Sequence, residues 1–341
     1  GFVILNPIRK ALQKRTLKSS VAMTVSLSAG LYISHVMIPP TPGPIAAAGN
    51  VGLADNLLLV IGIGALVSIP CLVTGYLYSL YIGKRVKSEE DLDTEHVEDV
   101  EKAYEEFVAS YGKLPSTALS FAPIIVPIIL MALGSIASIL KWGGALGDIT
   151  TFLGKPIIAL AGGVIFGIIL LAGTKRMGDF YEMTDDTLKV VGPILFVTAA
   201  GGVLGKVITE AGFVGYIQEN AAKLSTVGIF FPFLIAAILK VAQGSSTVAI
   251  TTTSAIMGSF AASDSMMAVL GLNTPLAAAF TVMAIGAGAM TVSHANDSYF
   301  WVVTNFGRLT PQDGYKTQTM VTLVLGVTAI LFIWLLSLFL F

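Results

Sequence analysis

The sequence predicts an all-α polytopic membrane protein, and three observations predict it. Of its 341 residues 55% are hydrophobic and only 12% charged, where a soluble domain carries about 25% charged residues. The mean hydropathy is +0.82. Apolar runs close to the ~20 residues that cross a bilayer recur along the chain, at 20–38, 57–82, 118–140, 156–173, 188–209, 275–293 and 320–341, with a less regular stretch at 227–258.

The same composition excludes several function classes. The single cysteine, Cys71, lies in an apolar run, so there is no disulfide framework. Three histidines (His35, His96, His294) and one cysteine argue against a structural zinc site, and no metal or cofactor is expected. A net charge of −1 gives no reason to expect a nucleic-acid partner. No GxxxxGK[ST] loop is present, so ATP does not drive the chain. The opening "GFVILNPIRK" reads as the tail of another apolar segment, and the chain is expected to be N-terminally incomplete.

Lys and Arg set the orientation of the spans, because cytoplasmic loops retain them. Segment 1–19 holds five (Arg9, Lys10, Lys14, Arg15, Lys18), 83–117 five, 174–189 three and 304–318 two. The opposite connections, near 40–56, 141–155, 210–226 and 259–274, hold three in all. The basic set is expected inside and the C-terminus outside. That assignment requires 227–258 to enter and leave on the outer side, as a re-entrant hairpin does. The stretch "SEEDLDTEHVEDVEKAYEEF" (88–107) carries Val97, Val100, Tyr104, Phe107 and Val108 on one helical face. It reads as an acidic amphipathic linker helix, solvated at the cytoplasmic surface, with His96 a surface residue. Three regions follow: 1–82, the remaining part of a first repeat; 83–117, the linker; and 118–341, a second repeat containing the hairpin.

The repeat rests on two segments. "SLSAGLYISHVMIPPTPGP" (26–44) aligns with "IGAGAMTVSHANDSYFWVV" (285–303), and each carries a Ser-His pair, Ser34-His35 and Ser293-His294, after a run of small residues. By the charge assignment the first runs outward and the second inward. Related segments of opposite direction mark an inverted-repeat secondary transporter with its site at the repeat interface. In "PPTPGP" (39–44) prolines remove the N–H groups a helix needs. A broken helix at membrane depth is tolerated only where it is buried in protein or lines a wet cavity. The plainer reading, a proline kink, fits one proline better than four.

The second constellation is "LKVAQGSSTVAITTTS" (239–254), an apolar half-helix running into Gln243, Gly244, Ser245, Ser246 and Thr247. Gly244 permits a tight turn, and the residues after it expose N–H groups at a half-helix N-terminus, which suits an anion. Hydroxyls of Ser245, Ser246, Thr247 and Thr251 are placed to hold substrate hydroxyls or a cation. Most of Thr251, Thr252, Thr253 and Ser254 are expected merely to bond back to helix carbonyls. Ionisable residues at membrane depth are functional candidates by default: His35, Lys206, Glu210, Lys240, His294 and Asp297. Lys206 and Glu210, spaced i, i+4 near a helix end, are expected to pair with each other or to snorkel. Lys240 either offsets a substrate's charge or stabilises its own half-helix end. His294, Asn296 and Asp297 form a compact cluster able to bind hydroxyls and pass a proton. Small-residue spacings such as Gly163/Gly167 and Gly201/Gly205 read as close helix packing.

Together "SHVMIPPTPGP", "AQGSSTVAITT" and "SHANDSYFW", with "GGVLGKVITEAG" (201–212), resemble the gluconate permease family of carboxylate transporters, within the broader ion-transporter superfamily. The resemblance covers essentially the whole chain. Family members are longer, so the chain is expected to lack the opening helices and the first re-entrant hairpin. The resemblance implies secondary transport of gluconate and related sugar acids, usually coupled to protons. By motif match it places the site at Ser34, His35, Thr41 and Gly43, at Gln243 to Thr247, and at Ser293, His294, Asn296 and Asp297. Gluconate-type members often carry histidine at the position of Thr41 and alanine at that of Ser246. Both departures face the expected substrate and open the choice to other sugar acids, a small hydroxy acid or a polar amino acid.

The reading that results is a proton-coupled symporter of gluconate or a related carboxylate. Half-helix N–H groups meet the anion in an outward-open cavity, hydroxyls and amides read its polyol part, and His35, His294 or Asp297 takes the proton. Rocking of one bundle against the other releases both inside. The alternatives are a sodium-coupled carboxylate or D-amino-acid transporter on the same fold, a passive channel, and an intramembrane enzyme using Ser, His and Asp. Ser293 and His294, as neighbours on a helix, would point in different directions, and no nucleophile elbow or HExxH accompanies them. The partners implied are a small carboxylate, protons and the lipid bilayer; a homo-oligomer is left open.

Overall fold

In a computed structural model, residues 2–16, 18–92, 115–189 and 228–340 are described, with Ala109, Val203 and Val207 singly. Most of the linker 83–117, His96, the apolar run 188–209, Lys206 and Glu210 lie outside the described residues. No strand occurs among the described residues, and the chain is an all-α polytopic membrane protein. Among the described residues five helical stretches are long and apolar enough to cross a membrane: Ser20–Asn50, Leu57–Ile82, Thr117–Ser138, Pro156–Gly173 and Pro311–Leu340.

Helix α1 (Phe2–Thr16) leads into α2 (Ser20–Met37), whose N-cap Ser19 accepts the Ala22 N–H. After four irregular residues the chain resumes as the short α3 (Pro42–Asn50), then α4 (Leu57–Ile82). The apolar runs at 118–140 and 156–173 form α5 (Thr117–Ile139) and α7 (Pro156–Gly173), joined by the shorter α6 (Gly144–Gly154). The segment expected as a hairpin is α8 (Phe230–Gln243) and α9 (Ser246–Met257) packed side by side. At 1.5 Å rise per residue neither reaches ~30 Å of hydrocarbon. Then come α10 (Pro275–Met290), a second irregular stretch, α11 (Ser298–Phe306), and α12 (Met320–Leu340) preceded by a π-helical turn at Tyr315–Thr319.

Helix α10 is the centre. It packs against α2, α3, α4, α8, α9 and α12, and every residue from Ala277 to Met290 is buried. A helix apolar all round is a buried helix, and its alanines and glycines let neighbours approach closely. A Cβ on Gly288 would lie 2.1 Å from the Phe233 carbonyl oxygen of α8, so no larger residue fits there. Helices α5 to α7 pack chiefly on one another and touch the rest through α4.

Backbone turns and side chains share in meeting the groups freed by the two breaks. At the first, the Thr41 hydroxyl donates to the Ile38 carbonyl at 2.7 Å. At the second, the Ser293 N–H donates to Thr322 Oγ1 at 2.9 Å and the Ser293 carbonyl accepts from the Thr319 hydroxyl at 2.6 Å. Thr319 closes the π-helical turn, whose extra residue aims it at the break; π-turns inside helices recur at functional sites.

Where α1 meets α2, a buried polar network ties the chain together. Arg9, 3% exposed, donates to Glu90 at 2.7 Å, to Ser20 Oγ at 2.8 Å and to Asn6 Oδ1 at 2.7 Å. Lys10 pairs with the second Glu90 oxygen at 3.0 Å, and Asp91 accepts the Ser20 N–H at 2.7 Å. Burial by itself would raise the Glu90 carboxyl, but the Ser20 hydroxyl, the Arg9 guanidinium and the Lys10 ammonium together hold it below the usual carboxylate range. A lowered carboxyl contributes stability above its unfolded value, about 4.3, and loses it as pH falls through its folded value. Glu90→Gln is therefore expected to destabilise the protein in detergent at pH 7 by on the order of 1–3 kcal/mol. The melting-temperature gap to the native chain should close as pH drops below about 4; a gap unchanged by pH would refute the assignment.

Candidate functional site

Both breaks and the hairpin tip open on one cavity of about 610 Å³. It is lined by Ser34, His35 and Thr41 of the first break, Gln243, Gly244, Ser245, Ser246 and Thr247 of the hairpin, and Asn296 and Asp297 of the second break. Phe2, Leu31, Tyr32, Ser298 and Tyr299 complete the wall. Gly43, Ser293 and His294 do not line it. Gly43 packs against Ile250 of α9 so closely that a Cβ would meet Ile250 Cδ1 at 2.9 Å. Ser293 is fully buried behind Asp297, and His294 is half-buried beside the cavity.

Three helices start at this cavity, each from a polar cap. Thr41 precedes α3, Ser245 precedes α9 and accepts the Val248 N–H at 3.3 Å, and Asp297 precedes α11 and accepts the Tyr299 N–H at 2.9 Å. The first N–H groups of a helix have no carbonyl partner within it, so the starts of α9 and α11 bring N–H groups to one space, whereas Pro42 and Pro44 in the first turn of α3 have none to offer. The hairpin tip is narrower than the expected polar turn. Only Gly244 and Ser245 are outside helix, and Ser246 and Thr247 already belong to the first turn of α9. Gly244 sits at φ +87°, and a Cβ there would lie 2.2 Å from the Asn296 carbonyl oxygen. The Asn296 amide donates to the Val241 carbonyl at 2.7 Å, so hairpin and second break are joined at that point. Gln243 folds back on the tip, its Oε1 accepting the Ser245 N–H at 3.0 Å and its Nε2 donating to the Ser245 carbonyl at 2.6 Å.

The strongest group is one the sequence left undecided. Lys240, fully buried, donates through Nζ to Asp297 Oδ2 at 2.6 Å and to the Gly244 carbonyl. It thus stabilises the end of its own half-helix and also pairs with a carboxylate 57 residues away. The same Asp297 oxygen accepts from Ser293 Oγ at 2.5 Å and from the Tyr32 hydroxyl at 3.3 Å. The Tyr32 hydroxyl shares a 2.6 Å hydrogen bond with Ser246 Oγ, in which either can donate. Tyr32 was missed as a site residue, although it stands one helical turn before His35 on α2 and so shares its face. The pairing of Lys240 with Asp297 had no local signal.

Two expectations change in detail. Ser293 and His294 lie in the irregular stretch 291–297, not on a helix, whereas Ser34 and His35 lie inside the last turn of α2. The two Ser-His pairs therefore do not occupy equivalent places relative to their breaks. Among the α9 hydroxyls, Thr251 and Ser254 bond back to carbonyls as expected, at 3.0 Å each, and Ser254 also accepts from Asn50 Nδ2 of α3 at 2.9 Å. Thr251 does not line the cavity.

Helices long and apolar enough to cross a membrane, one of them interrupted at a polar cavity that a second helix break and a hairpin tip share, fit a membrane transport protein. The chain belongs to the GntP family permeases, whose model matches residues 1–339. It is 32% identical to the inner membrane permease YgbN of Escherichia coli, over 98% of this chain and 72% of that protein. It is 27% identical to a gluconate permease of Pseudomonas aeruginosa, over 99% and 72%, and 25% identical to the Gnt-II system L-idonate transporter of Escherichia coli, over 97% and 71%. The curated relatives are longer, this chain spanning from 61% to 74% of their length. No solved structure matches the chain.

Gly244→Ala is expected to lower stability by at least the ~1–2 kcal/mol of a left-handed non-glycine residue, with more from the clash against Asn296. Melting in detergent tests this: a variant that melts with the native chain would contradict the tip geometry.

Proposed function

We propose that this permease is a secondary active transporter that carries gluconate or a related sugar acid together with protons across the bacterial inner membrane. The observation that carries this reading is the convergence of three helix N-termini on one cavity. The start of α9, capped by the neutral Ser245 hydroxyl, keeps its N–H groups' attraction for an anion, while Pro42 and Pro44 leave α3 few N–H groups and the Asp297 carboxylate already caps α11. The remaining wall suits a polyol: Ser34, Ser246, Thr247, Ser298 and Asn296 offer hydroxyls and an amide to substrate hydroxyls. Gluconate and L-idonate, named for two of the relatives, are acids of this kind. Tyr32 and Tyr299 add aromatic faces, with ring centroids 5.3 Å apart, against which a sugar backbone can lie.

The two broken helices, α2–α3 and α10–α11, are read as counterparts in inverted repeats, with the basic connections cytoplasmic and the C-terminus outside. The hairpin α8–α9 is read as entering and leaving on the outer side. Rocking of one repeat against the other would present the cavity to each side in turn. Of the expected proton carriers, His35 and Asp297 are at the cavity wall. Hydrolytic use of Ser293 is disfavoured because its hydroxyl donates to Asp297 and is sealed from the cavity, so neither an imidazole base nor a substrate reaches it.

The test is uptake of labelled gluconate by proteoliposomes holding the full-length gene product, under imposed pH or sodium gradients, with sugar acids, hydroxy acids and D-amino acids as competitors. One pH unit corresponds to about 1.4 kcal/mol, so a one-unit gradient should sustain up to about tenfold accumulation with one proton per anion. Accumulation that follows sodium and ignores pH would replace proton coupling by sodium coupling. Equilibration without accumulation would make the protein a passive channel, and competition by D-amino acids alone would overturn the sugar-acid assignment.

A further inference from the structure

Lys240 and Asp297 form a neutral unit at the back of the cavity. The ammonium has no exposure to solvent, and the Asp297 side chain is 7% exposed while contributing to the cavity wall. We propose that this pair is what binds proton and anion movement together: Asp297 takes the transported proton, and Lys240 makes that protonated site stable only when a substrate carboxylate is present. The proposal rests on the reading of the cavity as a carboxylate site.

The site has four states. Empty and deprotonated, ammonium and carboxylate cancel and their hydrogen bonds are made. Protonated but empty, the site holds a buried ammonium with no counter-charge, the costly outcome of breaking a buried pair. With the anion but no proton, two carboxylates crowd one ammonium and repel each other where water does not screen them. With both, the substrate carboxylate on the cavity side of Asp297 supplies the counter-charge across the protonated side chain, since Lys240 itself does not line the cavity, and the site is neutral again. The two favourable states differ by one proton and one anion, so loaded and empty sites carry the same charge.

The surroundings of Asp297 serve both protonation states. Oδ2 is met by two hydroxyls, Ser293 and Tyr32, and a hydroxyl both donates and accepts. When a proton is placed on Oδ2, Ser293 can turn to accept it, and Tyr32 can donate instead to Ser246 Oγ, 2.6 Å away. The Oδ1 bond to the Tyr299 N–H remains and holds the cap of α11. The other titratable or charged groups facing the pair are His35 on α2, which lines the same cavity, the Tyr299 phenol on α11, whose hydroxyl donates to the Ser28 carbonyl, and neighbouring His294. The hairpin helix α9 presents only the Ser246 hydroxyl. The proton passes from water in the cavity to Asp297 and leaves the same way on the far side; no other bond is made or broken.

The experiment uses the full-length gene product in proteoliposomes with labelled gluconate, a monoanion. Uptake by the native protein is expected to follow an imposed pH gradient and to be unchanged by an imposed potassium diffusion potential. Gluconate affinity should fall up to about tenfold per pH unit on the alkaline side, as one co-bound proton requires. Asp297→Asn, which keeps the Oδ1 cap, should bind gluconate with an affinity that varies less than twofold across the same pH range. It should exchange gluconate across the membrane but no longer accumulate it. His35→Gln should retain the native pH dependence. Potential-driven uptake by the native protein, pH-driven accumulation by Asp297→Asn, or loss of pH dependence in His35→Gln would each overturn the pair as the coupling element, and the first needs no variant to fold. Failure of the native protein to take up any sugar acid would overturn the transport reading as well, so the two failures are distinct.

Discussion

Lys240 puts an ammonium among the helices with no exposure to solvent, and the groups that compensate its charge tie three elements of the site together. Its partners are a carboxylate from the second break and a carbonyl from the hairpin tip. Asp297 can serve only because α10 ends at Met290 and the chain runs irregularly to the start of α11, and Gly244 only because α8 stops there. One charge thus fixes the meeting point of the hairpin, the second break and, through Tyr32, the helix that carries the first break. A buried ion pair of this kind adds little to stability by itself, since the desolvation of both ions offsets their attraction. Its consequence is specificity of arrangement: removing either partner strands a charge.

The breaks themselves are made tolerable by hydroxyl side chains and by close packing. Thr41, Thr319 and Thr322 meet the backbone groups that the helices release, and the π-helical turn before α12 aims two of these hydroxyls. Around them α10 supplies a wall without bulk, its glycines and alanines letting α8 approach so closely that carbonyl oxygens occupy the space of a side chain. The result is irregular backbone held against protein beside a polar cavity.

Much of this was legible in the sequence, for reasons specific to each element. Leu57–Ile82 and Pro156–Gly173 match their apolar runs residue for residue, since a bilayer demands an uninterrupted apolar length. The breaks were legible because proline and the polar S-H-A-N-D string cannot continue an apolar helix, and the hairpin because Gly244 follows an apolar half-helix. Ten residues expected at the site by motif match and by their polarity within apolar segments, from Ser34 to Asp297, line one cavity. Less legible were the residues whose role depends on a partner. Tyr32 reads as an ordinary apolar-helix aromatic until Ser246 and Asp297 are brought to its hydroxyl.

The sequence by itself determined the helical, membrane-embedded class, the positions of the breaks and the polar residues available to a site, because all of these depend on local composition and on the length of hydrocarbon to be crossed. Only the tertiary structure decided that Lys240 pairs with Asp297, that Ser293 stands behind the carboxylate and His294 beside the cavity, and that three helix ends face one space. Those relations join residues tens to hundreds of positions apart, and the packing of α10 against its neighbours, not any spacing along the chain, sets the distances between them.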